Sequence, residues 1–168
     1  MNKLVCAALL TLLLAGVSQA GELVPKELFH IERSKNANVV RYDAQLTQNG
    51  VFDRKAPVIA YWLMLAEDGR RENLNYLERT KAYGFRIVPE SPGKSYRMTL
   101  EAYDKRAIKV YLKSQDAKAE MVVDGKPAYL EKVYIQSEEG AWWPKVSYIE
   151  LFGTDVATGE KRHEKIVP

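Results

Sequence analysis

The segment richest in groups able to bind or react is Ile31-Glu32-Arg33-Ser34-Lys35-Asn36-Ala37-Asn38. Arg33 carries a planar fork of donors that matches a carboxylate or phosphate, and Ser34, Lys35, Asn36 and Asn38 add further hydrogen-bonding groups. Such a cluster suits an anionic or polar head group. The same residues equally describe a solvated hairpin, because Asn tolerates turn conformations. A second cluster, Glu67-Asp68-Gly69-Arg70-Arg71-Glu72, follows the most apolar stretch. Paired acids do acid–base work when their surroundings split their pKa values. Here the arginines keep the acids ionised and favour plain ion pairs, so Arg70 is taken as a ligand contact and no residue of the cluster as catalytic.

The two histidines, His30 and His163, lie 133 positions apart. Neither stands in the spaced clusters that metal ligation uses, so no metal site and no cofactor are predicted. His30 falls in a strand pattern between Phe29 and Ile31, and His163 in a terminal strand or tail, Lys161-Arg162-His163-Glu164-Lys165. No Gly-x-Ser-x-Gly elbow, His-Glu-x-x-His helix or phosphate-cradling Gly-rich loop occurs. A hydrolase would therefore need a serine or paired acids brought to His30 in a pocket by the fold. Aromatic candidates complete the set. Tyr61 and Trp62 sit in an apolar strand, and the adjacent Trp142 and Trp143 follow Glu138-Glu139-Gly140 in a turn. The tryptophan pair either stacks a ligand or docks a partner, or else plugs the core and a neighbouring loop.

The elements that must position these groups are mostly strands. Val40, Tyr42, Ala44 and Leu46 alternate with Arg41, Asp43 and Gln45, which is the pattern of a half-buried strand. Tyr96–Ala102 and Ile108–Leu112 alternate in the same way. Val58–Leu65 is apolar on both faces and predicts a central strand covered twice. Leu28–Glu32, Met121–Val123, Ala128–Gln136 and Val146–Phe152 complete the strands. Turns are expected at Asn49-Gly50, Asp68-Gly69, Pro92-Gly93, Asp124-Gly125 and Thr158-Gly159. One stretch, Asn73–Tyr83, lacks alternation, is rich in helix formers and is followed by Gly84, so a short helix is predicted there. The fold class is mainly β: an antiparallel β-barrel or β-sandwich of about eight to ten strands with one short helix around 73–83.

Residues 1–20 have the form of a secretory signal peptide. Lys3 precedes the apolar run Leu4–Val17, and Ser18 and Ala20 are the small residues at −3 and −1 that predict cleavage after Ala20. The run falls short of the roughly 20 residues that span a bilayer. Cys6, the only cysteine, follows Val5 and lies too early for a lipidation site. Residues 21–168 then form a single β-rich domain with no thiol, no disulfide and no transmembrane segment. Loss of Lys3 takes the net charge from +3 to +2, with both signs interspersed. That balance argues against nucleic-acid partners.

Several segments together resemble a family of uncharacterised exported bacterial proteins, the domain of unknown function numbered 4833. They are Leu28–Asn38 with Tyr42-Asp43, Pro57–Trp62, Glu67–Glu72 running to Ala82-Tyr83-Gly84, and Pro144–Thr154 with Tyr148–Gly153. The resemblance covers nearly all of the mature chain. It implies export and a small domain, and it brings no activity. It also draws attention to the Arg33–Asn38 loop and the Tyr61–Trp62 strand. The expected function is a soluble, periplasmic or secreted domain that binds a small molecule or lipid-like ligand without catalysis. Arg33, Ser34, Lys35, Asn36 and Asn38 would grip its polar head, and Tyr61, Trp62 and Trp142 its apolar part. The alternatives are an envelope protein–protein interaction module docking through an exposed strand edge or the Trp142–Trp143 rim, and a hydrolase without a recognisable motif.

Overall fold

A computed structural model describes residues 22–138 and 145–168. In chain order they form β1 (Val24–Arg33), β2 (Asn36–Leu46), β3 (Val58–Leu63), β4 (Arg71–Asn73), α1 (Tyr76–Lys81), β5 (Phe85–Ser91), β6 (Ser95–Leu100), β7 (Tyr103–Lys113), β8 (Asp116–Val123), β9 (Lys126–Ser137), β10 (Val146–Asp155) and β11 (Lys161–Ile166). The mainly β expectation holds. The strands make one curled sheet that forms a half-barrel.

The sheet forks at β9. Along one edge β9 pairs with β10 from Ala128 to Ser137. A strand residue has only two edges, and Tyr129 pairs with both Glu120 of β8 and Thr154 of β10. Ile135 likewise pairs with both Arg33 of β1 and Ile149 of β10. β8 and β1 therefore share the second edge, β8 along Lys126–Tyr129 and β1 along Lys132–Ile135. Two arms leave it, β1-β2-β3-β4 and β8-β7-β6-β5. The β1–β9 pairing is parallel, the one departure from the expected antiparallel ladder.

The arms face each other across the core. Val40, Tyr42 and Ala44 of β2 are fully buried on one side, and Met98, Ile108 and Val110 on the other. Tyr42 stacks on Phe29 at 4.4 Å between ring centroids, and its ring meets Phe85 of the opposite arm. Phe52 meets Tyr96 edge-on at 5.2 Å. Burying side chains of this size stabilises by roughly 1.5–3 kcal/mol each. At the far end, Glu164 of β11 accepts two hydrogen bonds from Arg106 of β7, at 2.7 and 2.6 Å, and one from the Asp124 amide at 2.7 Å. The β10–β11 hairpin is thereby tied to the β7–β8 arm.

The predicted Val58–Leu65 strand is shorter than expected and not central. β3 lies next to the edge, flanked by the three exposed residues of β4. Its two-sided apolarity has another cause. Trp62 faces the core, while Tyr61 is buried on the outer face beneath the Arg71 guanidinium, 3.5 Å from its ring centroid.

Local signals place the short elements. Asp124-Gly125 turns β8 into β9 with both residues at positive φ, 49° and 72°, the hairpin geometry that Gly admits readily. Ser114 and Gln115 make a comparable reversal between β7 and β8 without glycine. α1 starts with a capping box: Asn75 Oδ1 accepts the Glu78 amide at 3.0 Å, and Glu78 Oε2 accepts the Asn75 amide at 2.8 Å. The helix ends where the Tyr83 and Gly84 amides converge on the Glu78 carbonyl. A Cβ at Gly84 would overlap the Arg79 carbonyl, so only glycine fits.

Candidate functional site

Ile31 of β1, Met121 of β8, Leu130 and Val133 of β9 and Leu151 of β10 face the inner side of the fork, and Leu130 and Val133, three positions apart, share that face because the β9–β10 register shifts between them. Ile31, Val133 and Leu151 are cross-strand neighbours, and with Met121 and Leu130 they form one wall of a largely apolar cavity of ≈ 340 Å³. A second recess of ≈ 370 Å³ lies at the open end, lined by Arg33, Lys35, Glu78, Lys81, Tyr83 and Ser137 among others. Ala82, Ala102, Ile135 and Val146 line both spaces, so the two abut. Together they form a mostly apolar space whose mouth at the second recess holds three cations and one carboxylate, while Asp104, Lys105 and Arg106 also line the first cavity. Glu78 already serves the α1 cap.

Arg33 is the centre of that mouth. It ends β1, and Ser34-Lys35 is the two-residue turn into β2, with Arg33 paired opposite Asn36. The guanidinium lies over the Trp62 ring, 4.3 Å from the centroid, a cation–π contact that holds the group in place. Trp62 in turn meets Tyr83 edge-on at 5.2 Å. Burial pushes the Tyr83 phenol pKa up, while the adjacent Arg33 pulls it down. One long hydrogen bond, 3.5 Å, runs from Arg33 Nη2 to Asn36 Oδ1. Arg33 Nε is buried without an acceptor among the described residues. Such a donor costs about 1–3 kcal/mol when left unmade.

The remaining predicted residues separate. Ser34 Oγ accepts the Ser137 amide at 3.3 Å and joins the turn to β9. Asn36 Oδ1 accepts the Asn38 amide, and Asn38 Oδ1 accepts the Ala66 amide at 2.8 Å, so both asparagines organise backbone. Tyr61 is on the opposite face from Trp62, where its hydroxyl donates to Asp43 at 2.7 Å. Burial, then that hydrogen bond, pushes its pKa up to about 12. Arg70 is exposed, pairs with Glu67, Asp68 and Glu72 at 2.7–3.1 Å, and lines neither space. Trp142 and Trp143 lie outside the described residues. Glu78, Lys81, Tyr83 and Ser137 are mouth residues that the sequence did not single out as a site. The only local signal was that Tyr83 ends the predicted helix.

A family model described as Domain of unknown function (DUF4833) matches residues 29–165. The chain belongs to that family. No curated protein and no solved structure matches it. The matched span contains Arg33, Trp62, Tyr83 and the cavity walls from Ile31 to Leu151, so the site is part of the DUF4833 domain itself.

The outer face of the DUF4833 domain carries a different arrangement. His30 Nδ1 lies 3.2 Å from Glu27 and Nε2 3.4 Å from Glu32. Glu32 also pairs with Lys132, and Glu27 with Arg41, which bonds the buried Asp43 at 2.8 Å. His163 meets Glu150 at 3.0 Å and stacks on Phe152. Two acids reach His30, and it lines neither the cavity nor the mouth around Arg33. Among the described residues no group of three His, Cys, Asp or Glu side chains could hold a metal ion. No helix there is long and apolar enough to cross a membrane.

Proposed function

We propose that this chain is an exported, non-enzymatic domain of the cell envelope that binds a small molecule or lipid-like ligand. The ligand's apolar part would occupy the space between the arms, and its polar end the mouth around Arg33. The observation that carries this reading is the apolar cavity of ≈ 340 Å³ abutting a recess of similar size into which Arg33, Lys35 and Lys81 bring positive charge. Ligand sites of about 300–1,000 Å³ typically pair an apolar lining with a few placed polar groups. Supporting it is the division of roles along β1: Ile31 supplies cavity wall and Arg33 the mouth, two residues apart on one face of one strand.

The test uses N-phenyl-1-naphthylamine, an uncharged probe that fluoresces in apolar surroundings. The expected result is saturable binding of one probe per chain, abolished in Ile135→Phe and weakened in Ala102→Leu, with both variants shown to be folded by cooperative unfolding. Absence of saturable binding by the wild-type chain refutes the reading. Export is tested by cell fractionation with N-terminal sequencing. An envelope fraction beginning at Gly21 supports it, and an uncleaved cytosolic chain overturns it.

A further inference from the structure

We infer that the ligand is an anionic amphiphile, its carboxylate held by Arg33 with Lys35 and Lys81 as flanking cations; this rests on the cavity being a ligand site. The argument starts from how this protein treats its other partly buried arginines. Arg41, Arg106 and Arg162 are, like Arg33, half-buried. Each has an acid at hydrogen-bonding distance: Asp43 at 2.8 Å, Glu164 at 2.6 Å and Asp155 at 2.9 Å. Arg33 has none among the described residues. A guanidinium withdrawn from water without an anion is costly unless its charge is met some other way. The Trp62 face meets part of it. The remaining donors have neutral partners alone, Asn36 Oδ1 at 3.5 Å and the neighbouring Tyr83 hydroxyl, and Nε has no acceptor among the described residues.

The surroundings carry the same sign. Lys35 and Lys81 line the recess and form no ion pair among the described residues. Glu78, the one acid in the lining, is engaged by the Asn75 amide in the helix cap. An incoming carboxylate would supply the coplanar oxygens that the guanidinium fork fits. Its alkyl chain would lead past Ala102 and Ile135, which line both spaces, into the apolar cavity.

The experiment compares three ligands of equal chain length at neutral pH by isothermal titration calorimetry: decanoate, 1-decanol and decyltrimethylammonium. The expected order is decanoate tightest and the ammonium weakest. A charge-assisted hydrogen bond predicts a roughly ten- to hundredfold preference for decanoate over decanol. Arg33→Gln should bring decanoate down to the level of decanol and leave decanol binding unchanged. Arg33→Lys should retain part of the preference, and Lys94→Gln, on the distant β5–β6 turn, should retain all of it. If decanol binds saturably and decanoate no more tightly, or if Arg33→Gln leaves their ratio intact, the anionic head is refuted and the cavity reading stands. If none of the three binds, both fall.

Discussion

Tyr42 is the side chain on which the geometry of the mouth most depends, and its replacement by Phe isolates one interaction. The ring is fully buried and stacks on Phe29, so Tyr42→Phe leaves the apolar packing in place and opens no cavity. What it removes is the hydroxyl, which donates a 2.6 Å hydrogen bond to the Tyr83 carbonyl. That bond ties β2 to the segment joining α1 and β5. Its loss leaves a carbonyl without its partner, which costs about 1–3 kcal/mol. With a urea m-value on the order of 2 kcal/mol/M, a 2 kcal/mol loss lowers the unfolding midpoint by about 1 M at unchanged slope. Tyr42→Ala adds the cavity term and should cost about 3–5 kcal/mol. The second readout is the site. Tyr83 packs on Trp62, which carries Arg33, so Tyr42→Phe should also weaken decanoate while sparing decanol. A midpoint within 0.2 M of wild type, by the same conversion from ~0.4 kcal/mol, would show that the Tyr83 carbonyl is satisfied otherwise and would refute the reasoning.

Two further outcomes follow from other elements. Gly153→Ala would bring a Cβ to 2.5 Å from the Tyr129 carbonyl oxygen on β9. This is a backbone contact that no rotamer relieves, so a loss of about 1–3 kcal/mol or more is expected by thermal unfolding, against a smaller loss for Gly69→Ala, where only the φ of +74° is unfavourable. On the alkaline side, Tyr61 has its pKa raised to about 12, so its contribution is complete below the ordinary phenol value near 10 and is lost as pH rises through 12. Tyr42 and Tyr111 are shifted in the same direction, chiefly by burial. Tyr61→Phe should be less stable than wild type at pH 8 and should lose less stability between pH 10 and 12, as read by urea midpoints across that range; parallel pH profiles would refute the assignment.

Much of the fold follows from local rules. Period-2 alternation marks the inner face of β2, because successive side chains on a strand point to opposite sides. The Asn75–Glu78 pair and Gly84 bound the helix because caps act within one turn of chain. The Ser34-Lys35 turn and the nearness of Arg33 to Asn36 are equally local. The expectation that Tyr61 and Trp62 line one apolar site fails on the same rule, because adjacent strand residues point to opposite faces of β3.

The sharing of one β9 edge by β8 and β1 is not in any segment. Alternation says which side chains face inward but not which strands pair. Only that fork places Ile31, Met121, Val133 and Leu151 around one space. Only the tertiary fold lays Arg33 over Trp62, 29 positions away, and brings Lys81 to the same opening. The sequence by itself determined that the protein is a β domain with a cationic turn at the end of its first strand. The tertiary structure decided that this turn stands at the entrance to an apolar cavity, because contacts between distant strands are fixed by the packing of the whole core and leave no short-range pattern to read.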